Sequence, residues 1–126
     1  MQKDANIAEV FGRLSRAAKH IEGVAKGFAH DAELGYITSC PTNLGTALRA
    51  SVHIKLPNLG AQKDKFKAIA DKYKVQIRGA HGEHTETDDH IYDISNIHRL
   101  GYTEVQLCKD MWLGVKAMIE EEKNLR

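Results

Sequence analysis

Residues 48–56 read LRASVHIKL, a stretch in which apolar and polar side chains alternate. This period of two is typical of a β-strand with one buried face, and Pro57 then stops the strand. Arg49, Ser51 and His53 share the polar side of the strand. That side is either a solvated surface or a ligand-binding surface. The stretch therefore predicts a sheet with one apolar face for packing and one polar face that carries candidate site residues.

The flanking sequence predicts helices before and after this strand. Apolar residues at steps of three and four indicate helices over about residues 5–24 and 61–73. Thr103 and Gln106 form a capping box that begins another helix. The predicted buried face of that last helix is made of Val105, Cys108, Met111, Trp112, Val115, Met118 and Ile119.

Three further strands complete the predicted order αββαββα. Short runs rich in β-branched and aromatic residues place them at about residues 34–39, 75–78 and 91–95, and residues 79–90 are predicted to be a loop. Strands joined by tight connections are antiparallel more often than parallel. The order therefore indicates an α+β fold, with a mainly antiparallel sheet and helices packed on one of its faces.

Composition restricts the class of protein. The chain has 126 residues, of which 42% are apolar and 28% charged, with a net charge of +1. This size suits a single domain. The near-neutral charge argues against a nucleic-acid or membrane-surface binder. The sequence has no stretch typical of a membrane span or a secretion signal, and its two cysteines predict reduced thiols rather than a disulfide. We therefore expect a cytoplasmic protein.

Cys40 opens the run CPTNLGT at residues 40–46 and is a candidate for chemistry. A thiol at a strand end can act as a nucleophile, orient a substrate, or be an inert structural cysteine. Thr42 can donate a hydrogen bond to a thiolate, and Arg49 can add positive charge nearby; both would lower the pKa of the thiol.

Arg49 and Arg78 are candidates for a phosphate site. Arg78 ends a predicted strand and enters the glycine loop RGAHGE at residues 78–83. Guanidinium groups match phosphate oxygens, so two arginines at strand ends can form a phosphate clamp. The sequence carries neither a P-loop nor a G-x-G-x-x-G motif. The histidines and carboxylates of residues 81–90 fit no standard zinc spacing, so no metal site is predicted.

Together these motifs resemble the phosphagen (ATP:guanidino) kinase family. The similarity includes CPTNLGT and extends in family order to LRASVHIKLP at 48–57, IRGAHGEHTE at 77–86, IYDISN at 91–96 and RLGYTEVQ at 99–106. The run GEHTE, with Glu83, is similar to the arginine-kinase branch. Taurocyamine kinases and bacterial protein-arginine kinases are alternatives.

The resemblance implies transfer of the ATP γ-phosphoryl group to the guanidino nitrogen of arginine, with Mg²⁺ held through the nucleotide. It implies that Cys40, as a thiolate, orients the guanidinium and that Glu83 binds it and helps to accept its proton. It further implies a nucleotide site made of Arg49, Ala50, Ser51, Val52, His53, Arg78, Gly79, Ala80, His81, Gly82 and Glu83. Ala80 and His81 depart from the family, which commonly has threonine and arginine there.

The resemblance also implies that the chain is a single partial domain, the C-terminal portion of the catalytic domain. The N-terminal helical domain, a second catalytic glutamate and further arginines are expected outside it. We therefore expect little or no kinase activity from the 126 residues alone. Partners implied are the missing N-terminal part and, through an exposed sheet edge, a second copy of the chain. A truncated paralogue that binds nucleotide or a partner without turnover is the non-catalytic alternative.

Overall fold

The structure, a computed structural model, describes residues 1–79 and 89–126. In chain order its helices are α1 (Ile7–Ala25), α2 (Pro57–Ala61), α3 (Lys63–Lys72) and α4 (Glu104–Asn124). Its strands are β1 (His30–Asp31), β2 (Gly35–Tyr36), β3 (Ser51–Lys55), β4 (Val75–Gly79) and β5 (Ile91–Asn96). A short 3-10 helix, Pro41–Asn43, lies between β2 and β3.

Strand β5 lies at the centre of an antiparallel sheet with the order β3-β5-β4. Its residue Asp93 is paired with His53 on β3 and with Arg78 on β4. The predicted antiparallel sheet is confirmed. Within the described residues β3 and β4 are the two edges of this sheet, and dimerisation through an edge stays a prediction.

Helices α2, α3 and α4 cover one face of the sheet, as predicted. Along β3 the side chains alternate between exposed and half-buried positions, and Val52 and Ile54 point into the core. The buried core joins this face to α2, α3 and α4 through Leu56, Leu59, Phe66, Ala70, Val75, Ile94, Met111, Val115 and Met118. The opposite face of the sheet is therefore left to the polar side chains.

Strand β3 is shorter than the predicted strand over residues 48–56. The side chain of Asn96 explains its late start, because it takes the place of a backbone partner. Its Oδ1 accepts from the Ala50 amide at 2.8 Å, and its Nδ2 donates to the carbonyl oxygens of Leu48 at 3.1 Å and His98 at 2.7 Å. Asn96 thus holds the chain before β3 against the chain after β5.

The predicted strand over residues 34–39 is wrong in extent. Only β2 forms there, and it pairs with β1 in a separate hairpin. The hairpin turns sharply because Asp31 Oδ1 accepts from the amides of Glu33 and Leu34, at 2.8 and 2.9 Å.

Helix α2 was not predicted from the sequence. It begins at Pro57, and proline suits the first position of a helix because its missing N–H would be unpaired there anyway.

The predicted buried face of α4 is wrong at Val105 and Trp112, which are 68% and 42% exposed. Helix α4 buries instead the stripe Leu107, Met111, Gly114, Val115, Met118 and Glu122. The predicted capping box is confirmed: Thr103 Oγ1 accepts from the Gln106 amide at 3.3 Å, and Gln106 Oε1 accepts from the Thr103 amide at 2.9 Å. The capping chemistry was readable from sequence, whereas the rotation of the helix depends on what packs against it.

Helix α1 confirms the first predicted helix, although none of its residues is fully buried. Asn6 caps the first turn of the helix, because its side chain accepts from the Glu9 amide. The helix is followed by Lys26, which caps its C-terminal end in the left-handed backbone conformation. Leu14, Ile21 and Val24 are exposed. Among the described helices, none has the combination of length and apolar character that crossing a bilayer requires.

Glu122 ties α4 to the start of α2. Its carboxylate is buried and accepts from the Asn58 amide at 3.2 Å, the Asn58 side-chain amide at 2.8 Å and the Leu59 amide at 2.8 Å. Burial raises the pKa of Glu122, but the hydrogen bonds from Leu59 and Asn58 outweigh burial and hold the pKa below its ordinary value of 4.5. A lowered folded-state pKa means that the charged carboxylate stabilises the fold.

We therefore expect Glu122→Gln to lower the free energy of unfolding at neutral pH by about 1–3 kcal/mol, because one acceptor becomes a donor that faces other donors. The stabilisation is present above pH 4.5 and is lost as the pH falls through the lower folded-state pKa, so the gap between wild type and variant should narrow in acid. Urea unfolding as a function of pH measures this. Glu120→Gln, at an exposed position of the same helix, is the control. Equal losses in both variants would contradict the prediction.

Candidate active site

The polar face of the sheet gathers charged side chains around Asp93. Residues that pair directly across an antiparallel sheet lie on the same face, so His53, Asp93 and Arg78 share it. Ser51 lies on the same face, paired with Ser95, which is completely buried. The sequence-based placement of Ser51 and His53 on one polar side is confirmed.

Asp93 anchors Arg49. The Arg49 Nη2 donates a hydrogen bond to Asp93 Oδ2, and His53 Nε2 lies 3.6 Å from Asp93 Oδ1. The Asp93 side chain is only 11% exposed, whereas that of Arg49 is 35% exposed. A buried carboxylate is stable only with a partner, so Asp93 holds Arg49 at the surface with its remaining donors available for a ligand.

The sequence analysis missed Asp93. The available signal was its position in IYDISN, where one carboxylate interrupts a β-rich run. Aspartate is disfavoured within strands, so a mid-strand aspartate needs a specific partner.

Arg78 lies near the end of strand β4, which confirms its predicted place at the end of a strand. It lies on β4 directly across from Asp93, and its Nη2 donates to Gln76 Oε1 at 3.2 Å. The sheet register thus brings the two predicted phosphate arginines to the same face. Together they present guanidinium forks of the kind that bind phosphate oxygens.

Cys40 precedes the 3-10 helix and is exposed. Its Sγ lies 3.0 Å from Thr42 Oγ1. The Thr42 hydroxyl, helped by the Thr42 amide and by the positive charge of Arg99, lowers the pKa of the Cys40 thiol below its ordinary value of 9.0. The predicted contact between Thr42 and Cys40 is confirmed, but among the described residues the cation that acts on the thiol is Arg99 rather than Arg49.

Arg99 was missed as a site residue, since the sequence shows it only as part of RLGYTEVQ. It follows β5, and its carbonyl oxygen accepts from the Thr46 amide at 3.1 Å. Gly45 makes this approach possible: its φ is +108°, and a Cβ there would lie 2.5 Å from the Arg99 carbonyl oxygen. The CPTNLGT run is therefore packed against the chain that leaves the central strand.

The remaining predicted nucleotide residues fall into two groups. The side chains of Ala50 and Val52 pack against the core, so these residues can meet a ligand on the polar face only through the backbone. Ala80, His81, Gly82 and Glu83 lie outside the described residues, as does most of the predicted loop, and their roles stay predictions. Within residues 1–79 and 89–126, no three His, Cys, Asp or Glu side chains form a group that could hold a metal ion.

The Cys40–Thr42 contact predicts a pH-dependent reactivity of the thiol. Thr42→Val removes the hydroxyl, so the Cys40 pKa should rise and alkylation near neutral pH should slow severalfold. Thr42→Ser keeps the hydroxyl and should alkylate like wild type. Iodoacetamide modification followed by mass spectrometry at several pH values measures this, in a Cys108→Ser background. Equal rates for the valine and serine variants would contradict the prediction.

Known proteins with similar sequences include arginine kinases. The chain is 52% identical to the arginine kinase of Turbo cornutus and 50% identical to that of Penaeus japonicus, each over 125 residues. Each alignment covers 99% of this chain and 35% of the relative. The chain thus spans about a third of the length of these relatives.

Solved structures agree with this similarity. The duplicated taurocyamine kinase of Schistosoma mansoni, solved with bound components of a transition state analogue, is 49% identical with a TM-score of 0.86. That alignment covers 98% of this chain and 17% of the taurocyamine kinase chain. The crystal structure of a lombricine kinase is 39% identical with a TM-score of 0.89, over 98% of this chain and 35% of the other.

The sheet, the two arginines beside Asp93 and the run at residues 40–46, here called the thiol loop, therefore occur on a fold shared with guanidino kinases. The family profile described as ATP:guanido phosphotransferase, C-terminal catalytic domain, matches residues 1–125, nearly the entire chain. The chain belongs to this family of ATP:guanido phosphotransferase C-terminal catalytic domains.

Proposed function

We propose that this chain carries the phosphate-binding and thiol-bearing part of an enzyme that transfers the γ-phosphoryl group of ATP to the guanidino nitrogen of arginine. The observation that carries the proposal is the polar face of the sheet, where Asp93 contacts Arg49 and pairs across the sheet with Arg78. Relatives named arginine kinases, about half identical over almost the full chain, support arginine as the substrate.

Phosphoryl transfer depends on alignment and on neutralising the charge of the phosphate oxygens more than on covalent catalysis. Arg49 is held by Asp93 through one nitrogen, so its other donors can meet phosphate oxygens without losing their anchor. Arg78 provides a second guanidinium on the same face. These donors fit a nucleotide phosphate chain; Mg²⁺ would be held through those phosphates and would shield their charge.

Cys40 and Glu83 serve the other reactant in this proposal. The lowered pKa of Cys40 favours a thiolate, which attracts and orients a guanidinium cation rather than attacking it. Glu83 binds another nitrogen of the same guanidinium and helps to accept its proton. A thiolate and a carboxylate select a cationic substrate, while the arginines select an anionic one.

The rest of the site, including a second catalytic glutamate, is proposed to come from residues outside this chain. The 126 residues alone should then show little turnover, and a longer protein that contains them should be active. A coupled assay of ADP release with L-arginine tests this. Parallel arms with taurocyamine, lombricine and an arginyl peptide separate the alternative substrates. Mg-ADP binding without turnover on any of them would favour a non-catalytic nucleotide binder.

Arg49→Gln should lower kcat/KM of the active protein by about 10²–10³-fold, because it removes a charged donor aimed at the transferring phosphoryl group. Lys55→Gln is the matched control: it removes one positive charge from an exposed position on the same face of β3. We expect the control to retain activity close to that of wild type. Similar losses in the two variants would mean that general positive charge, rather than the position of Arg49, supports the reaction.

A further inference from the structure

Arg99 lies where the thiol loop meets the chain leaving the central strand. Its backbone is fixed by the Thr46 amide, and the lack of a side chain at Gly45 allows that close contact. Its side chain is fixed as well, because Nη1 donates to the carbonyl oxygen of Ile97 at 3.1 Å. The position of the guanidinium is therefore set by the fold.

One donor of this guanidinium is unused. Arg99 Nε is buried and has no hydrogen-bond partner among residues 1–79 and 89–126. Leaving a buried donor on a charged group without an acceptor is unfavourable. An acceptor brought by a ligand would satisfy this donor.

The charges around Arg99 indicate what kind of ligand that is. Burial lowers the pKa of Arg99, and the positive charges of Arg49 and Arg78 lower it further, so the three guanidinium groups act on one another. In the described part of the chain, Asp93 is the carboxylate that forms an ion pair with one of these three guanidinium groups, that of Arg49. Because the neighbouring guanidinium groups disfavour a further positive charge at Arg99, the acceptor that fits its unused Nε donor is an anion.

The same guanidinium acts on the thiol. Arg99 is the charged group that lowers the Cys40 pKa, after the hydroxyl and amide of Thr42, and the Cys40 charge acts back on Arg99 in the opposite direction. Neither Arg49 nor Arg78 contributes to the Cys40 shift. Among the described residues Arg99 is thus the cation that lies against the loop carrying the thiol, through its contact with Thr46, and that also acts on Arg49 and Arg78.

We propose that Arg99 is a positioning residue shared by two anions: it stabilises the Cys40 thiolate, and it gives a third guanidinium to the phosphate anion bound by Arg49 and Arg78. The proposal rests on the proposed function in that this anion is taken to be the phosphate chain of the nucleotide. Arg99 thereby fixes the distance between the group that orients the guanidino substrate and the groups that hold the phosphates. This role needs the forked guanidinium, since a lysine offers charge without the same pair of directed donors.

The test uses two readouts that need no turnover, in a Cys108→Ser background. The first is the midpoint of the pH dependence of Cys40 alkylation by iodoacetamide. The second is the affinity for inorganic pyrophosphate, and in a separate arm for ADP, measured by calorimetry at constant ionic strength. A pure phosphate role and a pure thiol role each move one readout, whereas the proposed shared role moves both.

We expect Arg99→Gln to raise the alkylation midpoint and to weaken pyrophosphate and ADP binding by about tenfold or more. Arg99→Lys should keep the midpoint near that of wild type, because it keeps the charge, while binding is still weakened. Arg49→Gln should weaken binding without moving the midpoint, and Thr42→Val should move the midpoint without weakening binding. Arg16→Gln, which removes the same charge on α1, should change neither.

The proposal is overturned if Arg99→Gln leaves either readout at the value of Arg16→Gln, or if wild type binds neither pyrophosphate nor ADP. Thermal unfolding checks that each variant is folded. If Arg99→Gln does not fold, Arg99→Lys decides: a midpoint raised well above wild type, or unweakened binding, contradicts the proposal. Absence of kinase activity in the longer protein that contains these residues, with both readouts as expected, would refute the proposed function and leave the role of Arg99 standing.

Discussion

The ion pair between Asp93 and Arg49 joins the centre of the sheet to the chain that leads into its edge strand. Asp93 is buried, and a carboxylate in that position needs a cation beside it. Arg49 supplies the charge, and His53 lies close to the second oxygen. The requirement to satisfy one buried carboxylate therefore fixes the position of an arginine that still has donors to offer.

The thiol loop depends on two further constraints at the end of the same strand. Asn96 uses its side-chain amide to bind the chain before β3, and Gly45 lets the end of the thiol loop approach the backbone at Arg99. Both contacts place the segment from Cys40 to Arg49 beside the chain that leaves β5. Arg49 and Arg78 both lie against Asp93 of β5, and the loop that carries Cys40 lies against the chain that leaves β5, so this one strand connects all the groups of the proposed site.

Much of this architecture could be predicted from local patterns. The alternation of residues 48–56, the capping box at Thr103 and the Thr42 hydroxyl beside Cys40 are short-range features, and each was read correctly from the residues. The features that were missed depend on residues distant in sequence. Asp93 and Arg99 act on residues far from them in the chain, and Trp112 lies on a helix whose rotation is decided by the sheet beneath it. Periodicity predicts that a helix or strand forms, but it does not predict which other parts of the chain pack against it.

The central claim is that Asp93 holds Arg49 in a position to bind phosphate together with Arg78. A crystal structure of the protein with bound Mg-ADP tests this most directly. The account predicts phosphate oxygens within hydrogen-bonding distance of both guanidinium groups, with the pair between Asp93 and Arg49 intact. Phosphates bound away from Arg49 and Arg78, or an Arg49 that has left Asp93 to reach them, would contradict it.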